Sequence, residues 1–184
     1  MTTRLCLLAT AVAVIAATTG CATAPAQSPA IPVPAGVPAA LLPPAGQEPF
    51  LRVHATGVQV YECATKADAP SGWAWQFRSP EAALADAAGK IIGRHFAGPS
   101  WTSNDGATIV GQVSASVPAQ HKGGLLLTIK SRDGQGPMTQ TASVQRLDTE
   151  GGVAPSTACS AANAKQVERV GYTATYVFWR VNAG

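Results

Sequence analysis

From Phe50 onward the chain alternates with a period of two. Tyr172, Ala174, Tyr176 and Phe178 alternate with Thr173, Thr175, Val177 and Trp179, and Trp73, Trp75 and Phe77 with Ala74, Gln76 and Arg78. Ile109, Gly111, Val113, Ala115 and Val117 alternate in the same way with Thr108, Val110, Gln112, Ser114 and Ser116. Such alternation marks strands with one buried face. Further strands are predicted over 50–54, 57–63, 90–95, 125–130 and 139–147. Turn signals separate them: Ala69-Pro70-Ser71-Gly72, Gly98-Pro99, Asp105-Gly106, Gly123-Gly124, the Asp133 to Pro137 stretch and Gly151-Gly152. Asp-Gly pairs accept the positive backbone angles of a tight hairpin. The segment 80–88 (PEAALADAA) reads as a helix, with Pro and Glu at its start and Gly89 at its end, and 160–166 as a weaker one. The expectation is an all-β domain of about seven to nine short strands with one or two short helices, either an antiparallel sandwich or a closed barrel. Periodicity does not choose between these two.

The chain before this domain has a different pattern. Arg4 is followed by an apolar run from Leu5 to Ala17, then Thr18-Thr19-Gly20 and Cys21. A charged start, a short apolar stretch and a small-residue exit make a secretory signal over 1–20. The run is shorter than the roughly 20 residues a membrane helix needs. Thr-Thr-Gly-Cys resembles a bacterial lipobox with Thr18 where Leu is preferred, which marks Cys21 for lipidation; plain cleavage at a nearby Ala is the alternative. Residues 21–45 are rich in Pro and Ala and read as a semi-rigid tether, with Leu41-Leu42 able to dock on the domain at 46–184. The expected location is the periplasmic side of the cell envelope, on the membrane through the Cys21 lipid.

Charge narrows the function classes. Of 13 basic side chains all but Arg4 lie beyond residue 47, with all 10 acidic ones. That balance is too even for electrostatic capture of nucleic acid, and no basic run is present. Cys6 and Cys21 belong to the signal, leaving Cys63 and Cys159 in the domain. In an oxidising compartment two cysteines most simply pair, with two free thiols or a redox site as the alternative. No Cys-x-x-Cys occurs, and the two are far apart. A bridge there would close a loop of about 97 residues, for which chain entropy predicts about 4 to 5 kcal/mol.

The densest gathering of chemistry-bearing side chains runs from Gly89 to Gly111, with His95, Ser100, Trp101, Asn104 and Asp105. His95, Trp101 and Asp105 are the candidate ligand-binding residues, although turn and core roles account for each. His95, Ser100 and Asp105 supply the residue types of a hydrolytic triad, but no Gly-x-Ser-x-Gly elbow exists and no catalytic residue is assigned. His54, His95 and His121 show no ligand spacing, so no metal site is assigned. Trp73, Trp75 and Phe77 form a stripe that reads as core more readily than as a sugar-stacking platform. Walker and dinucleotide fingerprints are absent, which leaves no basis for a nucleotide cofactor.

Several blocks in order carry a family resemblance: Val58-Gln59-Val60-Tyr61-Glu62-Cys63, Trp75 to Phe77, Pro80-Glu81-Ala82, Gly93 to Trp101, Asp105-Gly106 and Gly111. Gln145-Arg146-Leu147-Asp148-Thr149, Gly151-Gly152, Ala154-Pro155, Cys159 and Tyr172-Thr173-Ala174 with Tyr176 and Phe178 follow. These resemble the secreted proteins of domain of unknown function family 3455, over residues 37–180. The resemblance implies an exported β-rich domain with the two cysteines paired, and no activity. The malate dehydrogenase label of some fungal members is not carried over, because the chain lacks alternating β-α units.

Three readings follow. The first is a non-enzymatic envelope domain that binds a small molecule, glycan or protein. The second is a cofactor-independent hydrolase using the His95 to Asp105 segment, which requires His95 within reach of a carboxylate or hydroxyl. The third is a structural envelope protein without a ligand.

Overall fold

A computed structural model of the chain describes residues 30–118 and 124–182. The signal, Cys6, Cys21, the first part of the tether and His121 lie outside the described residues. Eight antiparallel strands close into one barrel in sequence order. They are β1 (Gln47–Thr65), β2 (Trp73–Ala85), β3 (Ile91–Phe96), β4 (Ser100–Ser103), β5 (Thr108–Val117), β6 (Gly124–Asp133), β7 (Thr141–Gly151) and β8 (Val167–Val181). Pairing of β1 with β8, from Gln47 opposite Val181 to Glu62 opposite Val167, closes the ring and leaves no free edge. Between sandwich and barrel, the barrel is the outcome.

The segments 50–54 and 57–63 are one continuous strand. Gly57, which looked like a break, is a mid-strand position where the β2 backbone at Glu81 and Ala82 comes so close that no Cβ fits. The helix expected over 80–88 does not form. Pro80 to Ala85 are strand, paired with β1 from Gln59 opposite Pro80 to His54 opposite Ala85. Pro80, Ala82 and Leu84 are buried there while Glu81 and Ala83 are exposed, a period of two. Burial on a paired strand outweighs the intrinsic helix preference of an Ala-rich run, which amounts to tenths of a kcal/mol per residue. Asp86 then turns the chain, its carboxylate accepting from the N–H groups of Ala88 and Lys90. Of the weaker helix at 160–166 only a 3-10 turn remains, Ala161–Asn163.

Two apolar clusters hold the barrel. The interior one includes Val53, Ala55, Leu84, Trp101, Ile109, Leu127, Val144, Tyr176 and Phe178. The second lies outside the wall, where Leu41 packs on Leu126, Leu147, Val177 and Trp179. Leu41 is 1% exposed, and its carbonyl accepts from Gln145 Nε2 (2.6 Å), whose Oε1 accepts from Trp179 Nε1 (2.8 Å). The end of the tether is thereby part of the fold, and both faces of β8 are buried along Tyr176 to Trp179. Cys63 and Cys159 form a disulfide, with Cα atoms 5.5 Å apart. It joins the end of β1 to the β7–β8 connection.

Candidate functional site

The antiparallel order sorts the connections onto two rims. The β2–β3, β4–β5 and β6–β7 turns form one rim, sealed from within by Met138, 2% exposed, on the 3-10 turn Pro137–Gln140. The β1–β2, β3–β4 and β7–β8 connections surround the other. At that mouth the interior opens into a cavity of about 220 Å³, lined by Phe77, His95, Trp101, Leu125, Leu127 and Tyr176 with Gln59 and Arg146. A second hollow of about 410 Å³ adjoins it, sharing Gln59, Phe77 and Arg146 and adding Tyr61, Thr149 and Gly152.

His95 and Trp101 are brought together as sequence reading proposed. They are a cross-strand pair of β3 and β4, with rings stacked at 4.7 Å and 14°. Trp101 is fully buried and meets Tyr176 and Phe178 edge-on at 5.7 and 6.1 Å. Gly111 makes room for it, since a Cβ there would stand 3.0 Å from the indole. His95 Nδ1 lies 2.8 Å from the Ser100 carbonyl. A carbonyl only accepts, so Nδ1 carries the hydrogen and Nε2 the lone pair. Burial lowers the His95 pKa to about 4, with the Arg146 charge adding to the effect and the Ser100 bond opposing it. The ring is therefore neutral near pH 7.

Asp105 is not brought to this cavity. It sits in the β4–β5 turn on the sealed rim, exposed, accepting from Ser103 Oγ and from the Ala107 N–H. β4 is only four residues long, but at about 3.3 Å per residue that is enough to carry Asp105 to the opposite end from His95. Those two hydrogen bonds hold its carboxyl below the usual range. Among the described residues, His95 has no carboxylate or hydroxyl partner, so the base–orienter pair of a triad is not assembled. His54 is exposed on the outer wall. No group of three His, Cys, Asp or Glu residues gathers among the described residues. The Trp73 to Phe77 stripe is rim rather than core: Trp73 and Trp75 are half-buried, Trp75 Nε1 donating to the Thr157 carbonyl, and Phe77 is 51% exposed at the mouth.

The side chain that sequence reading missed is Arg146. It lies opposite Leu125 and Tyr176 in the ladder, so it points inward with Val144. Its Nε is buried with no hydrogen-bond partner, and no carboxylate pairs with it among the described residues. Burial raises the proton affinity of Tyr61, Tyr172 and Tyr176, while the Arg146 charge opposes the rise at all three. One cation thus faces three phenols and an imidazole. The signal was present in the sequence as a charge in phase with Val144, between the uncharged Gln145 and Leu147.

A family model described as "Protein of unknown function (DUF3455)" matches residues 44–180. The chain belongs to this family. The matched stretch runs from just before β1 to within a residue of the end of β8, so the DUF3455 domain is the barrel itself. Searches of curated proteins and of solved structures return no significant match.

Proposed function

We propose that this DUF3455 protein is an exported envelope lipoprotein, anchored through Cys21 on the periplasmic side, whose barrel binds a small molecule at its mouth without transforming it. The observation that carries the reading is the cavity beside Trp101, open at one rim, whereas at the other Met138 fills the interior beneath a hollow of about 300 Å³. An engineered apolar cavity of about 150 Å³ already takes benzene, so 220 Å³ accommodates a substituted ring. Small barrels of this strand number use their interior in this way. The disulfide supports an oxidising compartment, and the tether behind Cys21 suits an anchored domain. The neutral, backbone-bonded His95 offers a wall rather than a base.

Two measurements test it. The wild-type chain should fractionate with membranes and Cys21→Ala should be released to the soluble periplasm. A panel of small aromatic and medium-chain compounds should contain members that raise the melting temperature, since a ligand at 100 times its Kd adds about 2.7 kcal/mol. If no member of the panel shifts it, and denaturing the native protein releases no small molecule detectable by mass spectrometry, the binding reading fails.

A further inference from the structure

We propose that the barrel mouth takes a small monoanionic carboxylate, with its head group on the Arg146 guanidinium and its apolar body against Trp101, Leu125 and Leu127. This deepens the binding reading above and rests on it. Three observations point the same way. First, unpaired polar atoms of the mouth converge. Arg146 Nε and Thr149 Oγ1 are both buried without a partner, and the Gln59 amide, 6% exposed, lies beside them. All three line the outer hollow. Buried polar groups are almost always bonded, and Arg146 is half-buried with its Nε fully so, so a cluster left open at a cavity is a head-group site awaiting its ligand.

Second, the charge is a single one. The other arginine of the inner cavity, Arg78, is paired with Glu62 at 3.1 Å, and His95 is uncharged at neutral pH. One guanidinium matches one carboxylate, whose two oxygens it grips as a fork. A phosphate dianion would leave a charge uncompensated. Third, the two hollows meet at Arg146 and Phe77, so a molecule with its carboxylate at Arg146 can direct its other end into the inner, apolar chamber. That chamber sets the size at about one ring or a short alkyl chain.

Calorimetric titration of the full-length protein with benzoate, phenylacetate and octanoate, against benzamide, phenylacetamide and octanamide, tests this. Carboxylates should bind at least tenfold tighter than their amides, a difference of about 1.4 kcal/mol. Arg146→Gln should abolish that preference while leaving the amides unchanged. Arg146→Lys, which keeps the charge and loses the fork, should retain the preference at severalfold weaker affinity. It also serves if the Gln variant does not fold. Equal binding of acid and amide overturns the carboxylate assignment and leaves the binding reading standing. Tighter binding of phenylphosphate than of benzoate overturns the monoanion assignment. Binding of none of the probes, with no small molecule released from the native protein, overturns both.

Discussion

The two ends of this barrel share one wall and are finished differently. At the sealed rim the turns close on themselves: Asp105 caps its own hairpin, Thr141 Oγ1 donates to the Met138 carbonyl at 2.7 Å, and Arg132 Nη2 to that of Thr141 at 2.7 Å. Gln47 Oε1 and Ser143 Oγ are buried without a partner towards that end. At the mouth, Arg146 Nε and Thr149 Oγ1 lack partners, and Phe77, Val113 and Val153 stand about half exposed or more. An inward guanidinium left without a carboxylate at one end only points to something besides stability. The difference teaches where to look for function.

The comparison can be broken or sharpened in order of effect. The largest loss should come from the staple at the mouth. Cys63→Ala with Cys159→Ala should lower the unfolding free energy by about 4 to 5 kcal/mol, read by urea titration. An unchanged midpoint would show the mouth to be held by packing alone. Next comes the shared core: Trp101→Ala should cost about 3 to 5 kcal/mol in the same assay and remove the cavity wall.

His95 gives a pH signature. Its folded pKa of about 4 lies below the ordinary 6.5, so as pH falls the unfolded chain takes the proton first. Its stability contribution is whole above about pH 6.5 and drains as pH falls to about 4, by roughly 3 kcal/mol. His95→Phe should flatten the stability profile in that window, and a profile identical to wild type would refute the buried neutral ring.

Arg146→Leu should behave in the opposite sense to a core substitution. Replacing an uncompensated inward charge by an apolar side chain should leave stability equal or raise it by about 1 kcal/mol, seen as a higher melting temperature in the absence of ligand. A marked loss would mean that Arg146 is a structural strut. The smallest effect belongs to Asp105→Ala, which should loosen one exposed hairpin and leave every affinity at the mouth unchanged.

The sequence by itself determined the all-β class, the positions of most strands and the alternation along β8, and it favoured pairing of the two domain cysteines. These follow from a period of two, turn chemistry and cysteine count, which are local or compositional. Closure into a barrel was decided only by tertiary structure, because β1 pairs with β8 across more than a hundred residues and alternation looks the same in an open or closed sheet. The same holds for 80–88, where pairing on both sides turned a helix-like run into strand. His95 and Trp101 were both singled out from sequence, but their cross-strand pairing came only from the structure, where the β3–β4 turn sets them opposite one another. Asp105 was near them in sequence and far in space, since an antiparallel strand, however short, spans the barrel from rim to rim. Arg146 became visible as a site only once the ring closed, because a charge on one strand face has no meaning until the partners around it, and those missing, are known.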